Sequence, residues 1–143
     1  MKFIKLIFIV LALILLTTSC GVRNNTKNEV NPDMLIRISE IKIYPQYLEE
    51  YKAILKKEAE ASVRLEPGVI SIYPMFQKED PTEIRILEIY ASNEAYKSHL
   101  DTPHFKDYKT NTLKMVDSLN LIDMEAIDFQ TMPEIFEKLK NNQ

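Results

Sequence analysis

Glu83–Phe105 reads EIRILEIYASNEAYKSHLDTPHF, and its punctuation decides the fold. Glu83 to Tyr90 is an Ile-rich run short enough for a strand. Ser92 is placed to accept a backbone N–H and cap a short helix through Leu100. Thr102-Pro103 supplies a second cap and first-turn pair, so the helical region is broken near Asp101 and restarts. One strand thus feeds two consecutive helical pieces.

Working outward, Val69–Gln77 is a second strand, and Lys78-Glu79-Asp80-Pro81-Thr82 has the chemistry of a turn. The two strands are predicted to pair as an antiparallel hairpin. Before them Leu48, Tyr51, Leu55, Ala59 and Ser62 recur at helical spacing behind Pro45. Glu66-Pro67-Gly68 ends that helix, with Gly free to take a positive φ. Leu35–Tyr44 reads as the first strand. Downstream, the helical pattern runs to about Ser118, Leu119–Phe129 reads as a fourth strand, and Thr131 with Glu134 resembles a capping box opening a C-terminal helix over 131–143. The order β-α-β-β-α-β is that of the ferredoxin-like α+β plan, one antiparallel sheet with both helices on one face.

The strands are apolar on both faces. Ile70, Ile72 and Phe76 oppose Val69, Tyr73 and Met75, and Ile84, Ile86 and Tyr90 oppose Leu87 and Ile89. A sheet face meeting water would alternate with polar residues. A second subunit is therefore expected to cover the free face as a homodimer, or a folded-back tail to cover part of it.

The rest of the chain bounds the function. Its 143 residues carry 18 Lys and Arg against 21 Asp and Glu, net charge −3, with no basic cluster to attract phosphate backbones, so nucleic acid is excluded as a partner. Two His and one Cys cannot supply a four-ligand zinc site, and no phosphate-cradling Gly-rich loop is present. Lys2 and Lys5, an apolar run Leu6–Leu16 and then Thr17-Thr18-Ser19-Cys20 read as an export signal over 1–19. That run covers only about 16 Å as a helix, too little to span a bilayer. The small residues before Cys20 resemble a bacterial lipoprotein box, with Thr17 where such boxes usually carry Leu. The expectation is a lipid on Cys20, a periplasm-facing protein held at the outer membrane, and a tether over 20–33 reaching at most about 45 Å. Loss of two lysines with the signal takes the charge to −5. With no second Cys, the domain over 34–130 holds by packing alone.

Over about residues 34–130 the chain resembles the antibiotic biosynthesis monooxygenase family. Glu88 late in the third strand, Glu94–His99, Thr102–Phe105 and Glu66-Pro67-Gly68 carry the likeness. The resemblance implies a dimeric α+β barrel and cofactor-free oxygenation of a quinol or related phenolic or polycyclic molecule by O2. It also implies departure from the haem-degrading branch. That branch carries a Trp where His99 stands and a haem-ligating His where Lys109 stands, and this chain has no Trp.

Among its residues, His99 is the candidate base, since imidazole suits removal of a phenolic proton near neutral pH; the alternative is a buried His bonded to a carbonyl at the helix break. Glu88 either orients His99, binds a substrate hydroxyl, or forms an ion pair with Arg37 or Arg85, and Glu40 presents the same ambiguity. Tyr73, Tyr90, Tyr96 and Phe105 are candidate pocket walls, Tyr108 shares their aromatic character, and His104 at a helix start has a structural role beside the pocket. A His99, His104, Glu88 metal triad matches no recognised ligand spacing, so no metal or other cofactor is assigned. Two other classes stay open: a non-catalytic binding or scaffold lipoprotein of the same fold, and a non-oxidative isomerase.

Overall fold

Ser92 and Thr102 do what their positions predict. The Ser92 side chain accepts from the Ala95 N–H and opens α2 (Asn93–Leu100), and Thr102 accepts from the Phe105 N–H and opens α3 (Pro103–Thr112). The computed structural model describes residues 33–142; the export signal, Cys20 and nearly all of the tether lie outside the described residues. Before these helices come β1 (Leu35–Ile43), α1 (Leu48–Leu65), β2 (Val69–Phe76) and β3 (Glu83–Tyr90). After them come β4 (Val116–Met124) and α4 (Thr131–Asn141). Pro45 opens a single 3-10 turn ahead of α1.

The strands form one antiparallel sheet in the order β2-β3-β1-β4, the ferredoxin-like arrangement. Register separates the two faces. Arg37, Ser39 and Ile41 stand opposite Glu88, Ile86 and Ile84, and this face meets the helices. Tyr51, Leu55 and Ala59 of α1 pack there against Ile41, Ile43, Ile72, Ile84 and Ile86. The other face carries Ile36, Ile38, Leu87 and Ile89, flanked by Tyr73 and Met75 on β2 and Ile122 and Met124 on β4. Its flanks are open, Tyr73 being 61% exposed and Met124 48%, while Ile36 and Ile89 at its centre are 9% and 2% exposed. α4 carries no buried residue.

Several local expectations are corrected. The helix expected to reach Ser118 ends at Thr112, a 3-10 turn follows, and β4 starts at Val116 rather than Leu119. Pairing overrides helical spacing here, because Val116 lies opposite Ile43 and the Tyr44 N–H donates to the Met115 carbonyl. β4 stops at Met124, opposite Ile36, rather than at Phe129. At α4 the cap is not Thr131 with Glu134: Asp128 accepts the N–H of Gln130 and both the N–H and hydroxyl of Thr131. Gly68, finally, has no positive φ. It is required for space, since a Cβ there would stand 2.5 Å from the Ala95 Cβ.

Two predictions follow from these contacts. Gly68→Ala pushes the Glu66 turn off α2 and is expected to cost about 1–3 kcal/mol in urea unfolding, with Ala95→Gly restoring much of it in the double variant. Asp80, in the β2–β3 turn, accepts from Lys42 at 2.7 Å and from Thr82, which holds its carboxyl down at about 2. Its folded value lies below its ordinary 3.8, so its stabilisation is present above that value and is lost as pH falls through about 2. Asp80→Asn is expected to remove this acid-side loss, as seen by unfolding curves across that window.

Candidate active site

Between the helices and the β1–β3 face lies a mostly apolar cavity of about 380 Å³. Ile41, Leu55, Ile72 and Ile86 form its apolar part, and Leu119 and Leu121 of the exposed strand β4 border it. His99, Glu88, Tyr90, Tyr96 and Phe105 all reach this cavity, as does Tyr108. Tyr73 and His104 do not line it. Tyr73 stands opposite Leu87 on the other face of the sheet, away from the face shared by Ile72 and Glu88.

His99, in the last turn of α2, is 2% exposed. Its Nδ1 is 3.0 Å from Glu66 Oε1, and His104 Nε2 is 2.6 Å from the same oxygen. Glu66 therefore accepts an N–H from each imidazole. Burial alone would raise its carboxyl, but these two hydrogen bonds outweigh burial and hold it below the ordinary range. Glu66 is fixed as the cap residue of α1, its N–H donating to the Ser62 carbonyl. Glu66 lies outside the cavity, and the other ring nitrogen points toward Glu58, which lines it. His99 Nε2 is 3.7 Å from Glu58 Oε1, beyond hydrogen-bond length. A neutral His99 donating from Nδ1 keeps Nε2 as a proton acceptor on the cavity side.

Glu58 itself is 5% exposed and accepts from the Ser62 hydroxyl at 2.8 Å. Burial pushes its carboxyl up, more than Ser62 and the imidazoles pull it down.

Glu88 does not orient His99. Its two oxygens accept from the Ser39 hydroxyl and, at 2.9 Å, from the Tyr90 hydroxyl. Burial, then the Glu88 charge, pushes the Tyr90 phenol far up, so it stays a donor. The ion-pair alternative for Glu88 is not realised either. Arg37 pairs with Asp123 at 2.7 Å and lies 4.7 Å over the Tyr96 ring, while Arg85 pairs with Glu83 and Glu40 on the opposite face. Glu88 is thus a carboxylate held by local hydroxyls in the cavity wall. Tyr108 shares a 2.7 Å hydrogen bond with the fully buried Tyr51, and burial pushes its phenol up to about 12. Phe105 packs on His99 with ring centres 4.6 Å apart. Lys109 lines the cavity from α3.

Glu58 and Glu66 are the residues that reading the sequence misses. Glu58 had a signal, because Tyr51, Leu55, Glu58 and Ser62 share one helical stripe and all four are buried. An acid on a buried stripe is a candidate by position. Glu66, four residues after Ser62, was legible only as part of a helix stop and of a stretch that carries the family likeness.

The family model for antibiotic biosynthesis monooxygenase matches residues 34–111. A solved structure from Bacteroides thetaiotaomicron that carries the family's name is 52% identical, with a TM-score of 0.68, covering 68% of this chain and 93% of that one. A Lactobacillus acidophilus structure named as a monooxygenase is 29% identical, TM-score 0.64, covering 65% of this chain and 44% of that one. A Caulobacter crescentus structure at 22% identity and TM-score 0.63, covering 71% of this chain and 96% of that one, shares the fold. No curated protein matches the chain. With more than half of its length matched by the family model, the chain belongs to the antibiotic biosynthesis monooxygenase family.

Proposed function

We propose that this chain is a cofactor-independent monooxygenase that oxidises a quinol or related phenol in the cell envelope, as a homodimer anchored through a lipid on Cys20 and facing the periplasm. The observation that carries the chemistry is the His99 geometry: Nδ1 tied to Glu66 and Nε2 on the side of an apolar cavity. That cavity is of a size for one aromatic ring system. The apolar outer face of the sheet supports the dimer, and the Lys-apolar-small-Cys pattern of residues 2–20 supports the anchor.

In this reading His99 Nε2 takes a phenolic proton, and Glu66 steadies the imidazolium that forms. The electron-rich phenolate passes one electron to O2, and the two radicals join at a ring carbon as a peroxide. His99 returns a proton to the peroxide. Loss of the carbon-bound hydrogen as a proton and cleavage of the O–O bond release water and leave a hydroxyquinone. Quinol and O2 thus give hydroxyquinone and H2O, with the substrate supplying all the electrons. Tyr90, Tyr96 and Phe105 would flank the ring, and the Glu88–Ser39–Tyr90 set would meet its second hydroxyl.

Oxygen uptake by the purified protein over a panel of hydroquinones tests this. The expected result is saturable uptake of one O2 per quinol consumed. Binding of the same quinols with no uptake would instead assign the cavity to a binding or scaffold role.

A further inference from the structure

We propose that Glu66, His99 and His104 form a binding site for a divalent transition metal of the zinc class. The three come from three separate elements, the end of α1, the last turn of α2 and the first turn of α3. One ligand atom from each converges, and all three atoms lie within 4.8 Å of one another. Glu66 Oε1 is already 3.0 Å from His99 Nδ1 and 2.6 Å from His104 Nε2. A tetrahedral ion about 2.0–2.1 Å from each ligand wants these atoms about 3.4 Å apart. The carboxylate must therefore draw back by less than about 1 Å, and the two imidazole nitrogens, which lie up to 4.8 Å apart, must close to the same spacing.

The surroundings suit an ion. Two imidazoles and one carboxylate favour zinc, cobalt or nickel over calcium or magnesium. A metal-bound imidazole normally donates its other N–H to a carboxylate, and the Glu58 carboxyl stands 3.7 Å from His99 Nε2, a gap that a small side-chain shift must close. The side chains of His104 and Glu66 are 20% and 12% exposed, which gives an entry path from solvent. Three protein ligands leave a fourth position for water.

The site bears on catalysis, and this consequence rests on the reading of His99 as the base. An ion on Nδ1 moves the proton of the neutral ring to Nε2. Nε2 then has no lone pair for a phenol, so zinc is expected to inhibit quinol oxidation.

The test is calorimetric titration of the untagged full-length chain in detergent with zinc chloride, using Cys20→Ser as background so that the thiol adds no ligand. Visible absorption of bound cobalt(II) reports the ligand geometry. One ion per protomer is expected, with affinity falling at least 100-fold in His104→Ala and in the more conservative Glu66→Gln. Zinc is expected to suppress oxygen uptake at least tenfold in the parent and less than twofold in His104→Ala, each relative to its own metal-free rate. Absence of binding, or binding indifferent to both substitutions, would overturn the site. Binding with uptake unchanged would overturn the inhibition. If no quinol is oxidised, the proposed function fails separately and the titration still decides the site.

Discussion

Replacing His99 with Ala is expected to lower kcat for quinol oxidation by about 10²- to 10⁴-fold, the usual contribution of a positioned general base. The reason is geometric: among the described residues, His99 presents the one imidazole that reaches the cavity, with its Nδ1 already committed to Glu66. The ring is also buried against Phe105 and Tyr90, so the truncation should cost about 2–4 kcal/mol of stability as a cavity opens. His99→Gln fills most of that space without a comparable base, and should be as inactive while more stable. Quinol binding, followed by quenching of tyrosine fluorescence, should change by less than about tenfold in either variant, since one lost hydrogen bond amounts to about 1 kcal/mol. Equal kcat in parent and His99→Gln would remove His99 from the chemistry.

Glu66 should separate into two effects. Glu66→Ala deprives two imidazoles of a shared charged acceptor, and hydrogen bonds to charged groups contribute about 1.5–3 kcal/mol each. With mutual relaxation, a loss of about 2–4 kcal/mol in urea unfolding is expected, together with at least a 10²-fold fall in kcat as His99 loses its fixed orientation. Glu66→Gln keeps an oxygen where both N–H groups point, so its fold should be close to that of the parent. It lacks the charge that stabilises the imidazolium, and hydrogen bonds to ionised groups are about twice as strong as neutral ones. A fall in kcat of roughly tenfold with little change in KM is therefore expected. A Gln variant with parental kcat would make Glu66 a structural residue alone.

Much of the fold was legible because its signals are local. Ser92 and Thr102 cap helices through contacts three residues away, and the Asp80 turn is closed by its own neighbour Thr82. Strand alternation placed Glu88 beside Ile84, Ile86 and Tyr90, and the sheet keeps that phase. The same alternation put Tyr73 opposite Ile72; assigning it to the pocket ignored the phase it had. The start of β4 was hidden because its pairing with Ile43 is long-range, while Leu113-Lys114-Met115 suits a helix locally. The core of the site was hidden for the same reason. Glu66 and His99 are 33 residues apart and meet only because Gly68 lets the α1–β2 turn lie against Ala95 of α2. Glu58 was passed over because a carboxylate in a helix is ordinarily read as solvent-facing. Here Ser62, one turn on, satisfies it inside the core.

The central claim is that the cavity carries out oxygen insertion with His99 as its proton acceptor. Turnover under 18O2, with the product analysed by mass spectrometry, tests it most directly. The account predicts one labelled oxygen in the hydroxyquinone, the other in water, and no labelled product above background with His99→Gln. Quinone formed without label, or label retained in the His99→Gln product, would contradict it.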